Sequence, residues 1–391
     1  MRRLLFIIIA ICVEAGACSW DYLIWTKSPE SDTPLFRFVT NPRHGAGYID
    51  RQGRIIIQPQ YDAFGNQGGD FFEGLANVTT EDGRGFFIDA KGNRVMPASY
   101  LGIGRFSEGM AMRWFRDSGK YGFIDHAGKL AISARFEAAG SFRQGLASVK
   151  VNGRYGYIDR SGKLVIPARF ASANDFSDGH ALVIEDGPCQ LIGYGPCEYP
   201  FNPPYMVPGK DGALPAASAP RCRYSVIDRA GRITFAGTFI DAKNFSEGLA
   251  PMGDGKKWGY VDYSGSVRVP LQFERAEPFS EGLAQVTSAR KMGFINRSGA
   301  LVIPAQFASA QAFSEGVAVV TGDGGKYFFV DAKGRRTIAR DFEVASSFVM
   351  GLAHVRGGNG DSNSALMSYI DKTGKVIFSY SEEWHRGRGG E

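Results

Sequence analysis

The sequence lacks the motifs by which many enzymes are recognised. It has no HExxH or CxxC motif, no glycine-rich loop ahead of a helix, and no serine or cysteine in a nucleophile elbow. Its five histidines fall at unrelated positions relative to the repeats described below. These absences argue against an enzyme, and neither a cofactor nor a metal is expected.

A strong excess of charge is also missing. The formal net charge is +5 over 391 residues, with a pI near 8.8. Nucleic-acid binding usually needs a dense basic face, and so small an excess spread over so long a chain does not supply one. Nucleic acid is therefore not an expected partner.

A hydrophobic run stands out only at the N-terminus. Arg2 and Arg3 precede the apolar stretch Leu4–Val13, and the small residues 15–17 follow. This is the layout of a secretory signal peptide. The run is shorter than the roughly 20 residues that span a bilayer. Residues 1–17 are therefore predicted to be a signal peptide.

Cys18 directly follows these small residues, so the segment resembles a bacterial lipoprotein signal, although Ala15 stands where leucine is usual. The resemblance implies lipidation at Cys18, and the alternatives are simple cleavage after Ala17 and, last, an uncleaved anchor. Ser19 comes next, which in Gram-negative lipoproteins implies outer-membrane delivery. We expect an exported protein, either an outer-membrane lipoprotein or periplasmic, that contacts the membrane through a lipid anchor if Cys18 is acylated.

Cysteine is scarce, and three of the five cysteines flank or lie in one proline-rich stretch. These are Cys189, Cys197 and Cys222. In an exported protein they favour a disulfide, with one thiol left free or paired between chains. A zinc site is less favoured because no histidine lies at ligand spacing.

Glycine is abundant, with 51 residues, and it recurs in phase. Nine times a turn opens on an aspartate or asparagine and a glycine follows three residues later, mostly 34 to 36 residues after the previous copy. The side chains of such residues accept hydrogen bonds from the backbone of the turn, so these are expected to be structural turn residues and not acids or metal ligands. They are Asp50, Asp89, Asp125, Asp159, Asp228, Asp262, Asn296, Asp331 and Asp371.

Each unit predicts three antiparallel strands. In one copy these are residues 146–151, 155–159 and 164–166, joined by the hairpin signal Asn152-Gly153 and by the turn at Asp159. The longer connection to the next unit carries a second landmark, Phe-Ser-Glu-Gly-Leu-Ala in its commonest form. Its phenylalanine is expected to fill the core between units, with a ligand-binding groove as the alternative. Its glutamate is expected to be a solvated turn residue.

These markers resemble the WG-repeat family. They are aromatic-Gly-aromatic-Ile-Asp-x-x-Gly-Lys, an Ile-Pro step and the Phe-Ser-Glu-Gly-Leu-Ala step, found from about residue 45 to 380. The naming pair itself occurs only at Trp258-Gly259. The resemblance implies a tandem β-repeat with a binding or surface role and little chemistry.

One interval between turns is 69 residues and not about 34, which places an insertion at 186–221. It is rich in proline and glycine, so an excursion loop is predicted there. Loops on a rigid scaffold often carry binding. Four aromatic residues in it are the binding candidates: Tyr194, Tyr199, Phe201 and Tyr205.

The predicted domains are the signal peptide 1–17, a spacer 18–40, a repeat domain 41–380 with the insertion loop 186–221, and a disordered tail 381–391. The fold class is all-β, with about eight full three-stranded meanders and a terminal half. An open superhelical array is favoured. The alternative is a closed propeller-like ring in which the last half-unit completes the first blade.

Export and a broad repeat surface together predict a non-catalytic binding or scaffold protein of the cell envelope. Its partner would be a protein or an envelope glycan. One alternative is a glycan-active envelope enzyme that uses carboxylates between repeats. Another is a purely structural surface protein.

Overall fold

The computed structural model describes residues 35–40, 45–62, 69–80, 85–96, 103–186, 222–357 and 366–381. Every regular element in these residues is a β-strand, and the strands form nine antiparallel sheets that follow one another along the chain.

Sheets 1 to 3 each hold three strands. Sheet 1 consists of β1 Phe36–Val39, β2 Ala46–Ile49 and β3 Ile55–Tyr61, sheet 2 of β4 Phe71–Phe72, β5 Leu75–Thr79 and β6 Gly85–Asp89, and sheet 3 of β7 Met110–Phe115, β8 Lys120–Asp125 and β9 Leu130–Phe136.

Sheets 4 to 6 each hold four strands. Sheet 4 consists of β10 Ala138–Ala139, β11 Leu146–Val151, β12 Arg154–Asp159 and β13 Leu164–Phe170, sheet 5 of β14 Ser172–Ala173, β15 His180–Ile184, β16 Cys222–Asp228 and β17 Ile233–Phe239, and sheet 6 of β18 Asp241–Ala242, β19 Ala250–Gly253, β20 Trp258–Val261 and β21 Val267–Phe273.

The last three sheets follow the same order. Sheet 7 consists of β22 Arg275–Ala276, β23 Ala284–Ser288, β24 Lys291–Ile295 and β25 Leu301–Phe307, sheet 8 of β26 Ser309–Ala310, β27 Val317–Thr321 and β28 Tyr327–Asp331, and sheet 9 of β29 Val344–Ala345, β30 Ala353–Arg356, β31 Leu366–Ile370 and β32 Val376–Ser381.

Sheet 4 shows how the local sequence forms each unit. Strands β11 and β12 pair up to Val151↔Arg154, so only Asn152 and Gly153 make the hairpin, both with positive φ. Two such residues match the twist of the flanking strands. The predicted three-stranded meander is confirmed. The two-residue strand β10 adds a fourth member that the sequence pattern did not predict.

One residue in the middle strand of each sheet decides how its outer strand pairs. In sheet 4 it is Gly156, where an added Cβ would lie 2.5 Å from the carbonyl oxygen of Ile166. The outer strand β13 can therefore bulge across this glycine, and the pairing register shifts on both sides of Tyr157. The same glycine and the same shift occur in sheets 1, 3, 6 and 7.

Other residues at this position change the outer strand. Sheets 5 and 9 have Ser225 and Ser368 there, and their outer strands pair residue by residue beside it. Sheets 2 and 8 have Phe86 and Phe328, and only isolated bridges follow their middle strands in the described residues. The outer strands thus have two register shifts in five sheets, one register shift in sheets 5 and 9, and interruptions in sheets 2 and 8.

The apolar core lies between sheets and not within them. Nine clusters of buried side chains occur among the described residues, and each joins one sheet to the next. The recurring phenylalanine of the connection is buried in them, as at Phe176, whose ring lies 4.8 Å from that of Tyr157 in the preceding sheet. In sheet 2 this position belongs to Phe71, which packs 5.0 Å from Tyr48, and not to Phe72.

The ninth cluster closes the ring, because nine sheets in an open row would have only eight interfaces. It joins sheet 9 to sheet 1, and the ring of Phe38 lies 4.9 Å from that of Phe378. Tyr369 also donates its hydroxyl to the carbonyl oxygen of Arg37. The molecule is a nine-bladed propeller, so the open array expected from the sequence is wrong and the closed ring is confirmed.

Closure does not require strand exchange between the two ends of the chain. Sheet 9 has four strands from one continuous segment, so it is not the terminal half that the sequence suggested. Sheet 1 begins at Phe36, inside the segment interpreted as a spacer. The two terminal sheets therefore meet as complete neighbours, and side-chain packing holds them together.

Candidate binding surface

The nine predicted turn residues all lie at the turn between a middle strand and the segment that follows it. In each, one side-chain oxygen accepts the N–H groups of the residues two and four positions later. At Asp159 these are Ser161 at 2.9 Å and Lys163 at 3.1 Å. Asn296 makes the same two contacts with Ser298 and Ala300. The turn needs an acceptor and not a charge.

Hydrogen bonds also set the ionisation of these turn carboxylates. The hydroxyl of Ser264 donates to Asp262 at 2.6 Å, and the guanidinium of Arg268 and two backbone N–H groups add to it. Together they lower the pKa of Asp262 to about 2. The carboxylate is therefore ionised and fully engaged within its own turn.

The glutamate of the connection links one sheet to the next. Glu281 accepts the backbone N–H groups of Glu315 at 2.6 Å and Gly316 at 2.7 Å. Equivalent contacts link each sheet to the next from sheet 2 to sheet 9, and the two partners are always 34 or more residues apart in sequence. Met350 occupies the position in sheet 9 and makes no such contact within the described residues. The acceptors of these contacts are Glu73, Glu108, Gln144, Asp178, Glu247, Glu281 and Glu315. This corrects the expectation of a merely solvated turn residue.

The serine next to this glutamate makes a second link. Ser107 donates its hydroxyl to the carbonyl oxygen of Phe142 in the next sheet at 2.7 Å. Ser177, Ser246, Ser280 and Ser314 do the same. The connections that carry this serine therefore satisfy both a donor and an acceptor of the next sheet, which leaves these side chains committed to the scaffold.

Several charged groups are buried where sheets meet. The ammonium of Lys243 lies 2.6 Å from the carboxylate of Glu277, and both side chains are largely buried. Burial raises the pKa of Asp175 to about 6, partly offset by the charge of Arg143. Burial also lowers the pKa of His354 to about 4. These groups pair with neighbours inside the protein and are not directed at a ligand.

The side chains left for a partner are apolar and lie on the outer strands. Of the thirteen large apolar side chains that are exposed in the described residues, eleven belong to these strands. We call them the outer apolar belt. Its members are Ile55, Ile56, Leu130, Leu164, Val165, Ile233, Val267, Leu271, Leu301, Val302 and Val376.

The sequence contained a signal for this belt that was not used. The Leu-Val-Ile-Pro copies were interpreted only as β-favouring runs. In β13, however, Leu164 and Val165 are both exposed and only Ile166 is buried, where it packs against the next sheet. The core needs only one apolar residue at this end of the outer strand, namely Ile166. The two aliphatic residues before it, Leu164 and Val165, are more than the core requires.

The remaining predicted sites fall largely outside the described residues. This applies to the lipidation candidate Cys18, to Cys189 and Cys197, and to the binding aromatics Tyr194, Tyr199, Phe201 and Tyr205. Cys222 is the first residue of β16. The predicted disulfide stays a prediction.

Within the described ranges, no group of three or more histidine, cysteine or acidic residues is placed to hold a metal ion. The same ranges contain no helix with the length and hydrophobicity needed to cross a membrane.

Comparison with solved structures shows the fold alone. A crystal structure of a eukaryotic initiation factor is 11% identical, with 90% of this chain and 96% of that chain covered and a TM-score of 0.57. The computationally designed Ika8 protein is 13% identical over 81% of this chain and 98% of its own, with a TM-score of 0.41. BamB from Moraxella catarrhalis is 10% identical over 73% and 88%, with a TM-score of 0.39.

No curated protein matches the chain. The family model described as "WG containing repeat" matches six segments, which together cover slightly more than half of the sequence: 47–83, 121–155, 155–187, 224–258, 258–288 and 292–327. These segments coincide with the middle and outer strands of the propeller and the connections between sheets. The chain therefore belongs to the WG containing repeat family.

Proposed function

We propose that this protein is a non-catalytic binding scaffold of the cell envelope, whose closed ring presents the outer apolar belt to a protein partner. The belt carries this proposal. Aliphatic side chains are exposed at equivalent positions of seven sheets. Their contact with water is unfavourable in free energy, and a bound partner would remove it. Aliphatic contacts fit a protein surface better than a glycan, because sugars present hydroxyl groups that need polar partners.

The scaffold role rests on how the ring is held together. The carboxylates between sheets accept backbone N–H groups of the next sheet, as Glu281 does. A glycan-active enzyme that used these carboxylates would have to break the links that join its own blades. We therefore favour binding over catalysis. A search for hydrolysis of peptidoglycan or polysaccharide by the purified protein is the direct check.

Export and anchoring are part of the proposal, and they rest on the sequence of residues 1–18. A diacylglyceryl group on Cys18, detected by mass spectrometry of the mature N-terminus, would fix both compartment and anchor. An N-terminus at Cys18 without lipid would indicate simple cleavage. A chain that begins at Met1 would contradict both lipidation at Cys18 and cleavage after Ala17.

The belt is tested by photo-crosslinking in cells. A photoreactive amino acid at Leu164 or Leu301 is expected to give discrete protein adducts, identified by mass spectrometry. The matched control is Leu366, a leucine of similar type that is exposed on β31 and does not belong to the belt. Equal adducts at the belt and control positions, or none at the belt, would contradict the proposal that the outer apolar belt binds a protein partner.

A further inference from the structure

The outer edges of the sheets differ in how well they are protected from pairing with another strand. A free edge presents unpaired backbone N–H and C=O groups, and proteins commonly block such edges with bulges, prolines or charges. Five outer strands are bulged, and three of these carry a proline at one shared position, namely Pro167, Pro270 and Pro304. Sheets 2 and 8 lack a continuous outer strand in the described residues.

Strand β17 of sheet 5 has little of this protection, because its one register shift lies at its start, opposite Val226 and Ile227. It pairs with β16 residue by residue from Cys222↔Phe239 to Val226↔Phe235. Its sequence, Ile-Thr-Phe-Ala-Gly-Thr-Phe, has no proline and no charged residue. It is the last strand of its sheet, and no described strand pairs with its outer side. A regular, neutral and β-rich edge of this kind favours pairing with another strand.

The direction of the backbone groups follows from alternation. The hydroxyl of Thr234 donates to the carbonyl oxygen of Val226, so the backbone of Val226 faces β17. Its opposite residue, Phe235, therefore faces β16. The alternate residues Ala236 and Thr238 direct their N–H and C=O groups outward, whereas Thr234 lies at the register shift, where the alternation is interrupted. Ala236 is exposed, at the position where sheet 4 has Pro167.

We propose that two copies of this protein associate by antiparallel pairing of their β17 strands. With Ala236 opposite Ala236, Thr234 of each copy lies opposite Thr238 of the other. The outward N–H groups of Ala236 and Thr238 in each copy then give about four backbone hydrogen bonds across a two-fold axis. The pairing joins two four-stranded sheets into one continuous sheet of eight strands.

The charges at the two ends of β17 fit this arrangement and exclude the parallel one. Arg232 precedes the strand with an exposed side chain that pairs with Asp228 of its own turn, and Asp241 follows the end of the strand. Antiparallel pairing brings Arg232 of one copy beside Ile240 and next to Asp241 of the other. Parallel pairing would put Arg232 beside Arg232. The strand is thus complementary to itself in the antiparallel sense, which identifies a second copy as the occupant.

Strand β32 of sheet 9 is the rival edge, because it too has one register shift at its start and no proline or charged residue. Lys375 precedes it, and Glu382 and Glu383 follow Ser381 in the sequence, so charge does not separate the two edges. We take β17 because it is the longer edge, with seven strand residues against six in β32. Substitution distinguishes the two edges.

The test is the oligomeric state of the full-length protein over a concentration series, measured by sedimentation velocity. Ala236→Pro removes one outward N–H from each copy and places a ring at the centre of the pairing. We expect the dissociation constant of the dimer to rise at least about tenfold. Ser133→Pro at the equivalent position of bulged β9 is the matched control and should change nothing. The melting temperature of each variant checks that it folds.

A second variant keeps the test decisive if Ala236→Pro fails to fold. Ala236→Cys should form an intermolecular disulfide on mild oxidation, because the pairing places the two residues directly opposite each other. Ser133→Cys should not. A protein that stays monomeric at every concentration overturns the proposal. This holds whether the edge stays unpaired or residues 187–221 cover it. Association that survives Ala236→Pro or is lost in Ser379→Pro also overturns the proposal.

Discussion

Single side chains link neighbouring sheets by hydrogen bonds to residues about one repeat away in the sequence, which no local sequence pattern reveals. Glu281 is a surface-type residue in a Ser-Glu-Gly turn, yet its carboxylate binds two N–H groups of the next sheet. Gln144 makes the same kind of contact with Gly179 at 2.8 Å. An acceptor is therefore what the position requires. Sequence reasoning missed this because the partner lies one full repeat away, where no local pattern records it.

Glu281→Ala should lower the free energy of unfolding by about 1–2 kcal/mol, because two partly exposed N–H groups lose a charged acceptor. Glu281→Gln keeps one acceptor oxygen and should cost less. Met350→Ala is the comparison at the same position with no hydrogen bond to lose, and it measures the cost of removing side-chain packing alone. Urea denaturation of the three variants measures the differences. Equal losses for Glu281→Ala and Glu281→Gln would contradict the acceptor role.

The buried Asp175 should make stability depend on pH in an unusual direction. Its pKa is raised to about 6 by burial, above its ordinary value of 3.8. Between about pH 4 and pH 6 the folded chain therefore holds a proton that the unfolded chain has lost. The contribution to stability is fully present at low pH and disappears as the pH rises through 6. Its size is about 1–3 kcal/mol.

Asp175→Asn should remove this dependence and make the protein more stable than the wild type at neutral pH. His354 acts in the opposite sense, because its lowered pKa costs stability as the pH falls from 6.5 towards 4. The difference in free energy of unfolding between wild type and variant, measured across this range, isolates Asp175. A difference that does not vary with pH would show that Asp175 ionises normally.

At the scale of the strands, the residue at the Gly156 position of the middle strand decides whether the outer strand can bulge. Gly156→Ala should destabilise the protein by about 1–3 kcal/mol, because the new Cβ would meet the carbonyl oxygen of Ile166 at 2.5 Å. Gly324→Ala is the control, since nothing lies within 4 Å of an added Cβ there and its φ is not positive. Thermal melts of both variants give the comparison. A Gly156→Ala protein as stable as the control would refute the close approach.

The insertion should be separable from the sheet that carries it. Strands β15 and β16 pair without a break from His180↔Asp228 to Ile184↔Tyr224, so the hairpin is complete on the near side of the loop. Deleting residues 188–220 should therefore leave the melting temperature within a few degrees of the wild type. Loss of the cooperative melt would show that the insertion is part of the scaffold.

The strands show clearly what the sequence could and could not supply. The turn at Asp159 and the hairpin at Asn152-Gly153 have strong local signals, so β11 and β12 match the predicted strands to within one residue, whereas β13 extends four residues beyond the predicted end, to Phe170. The short strand β10 was not predicted, because two alanines have no periodicity and form a strand only beside β11. The type of outer strand was also missed, since it depends on contact between Gly156 and a neighbouring strand.

The sequence does not determine whether the array of sheets closes into a ring, and the reason is physical. A repeat fixes how each sheet meets its neighbour, but the total rotation depends on small angles that accumulate over nine interfaces. The decisive contact also involves β1, Phe36–Val39, which precedes the first recognisable landmark. Once the ring is formed, Gly53 of sheet 1 packs on Ile377 of sheet 9 as Gly162 of sheet 4 packs on Ile132 of sheet 3.

The interface between sheets 9 and 1 nevertheless differs chemically from the others. Val349 and Met350 occupy the positions of the linking serine and glutamate, and neither can make those hydrogen bonds. The sequence position equivalent to Gly145 in the first unit is Pro34, which has no N–H to donate. Aromatic packing, as between Phe38 and Phe378, and the hydrogen bond from Tyr369 to the carbonyl oxygen of Arg37 hold this interface instead.

The ring should therefore open first at this interface. In hydrogen exchange at rising but sub-denaturing urea, amides of Phe36–Val39 and Leu366–Ile370 should lose protection before those of β11 and β12. The double variant Ser107→Val with Glu108→Met copies the closing pair into the interface between sheets 3 and 4, where these residues bind Phe142 and Gly145. It should create a second early-opening site there and leave the other interfaces unchanged. Uniform exchange around the wild-type ring, or a double variant that opens only between sheets 9 and 1, would mean that the polar links do not determine where the propeller opens.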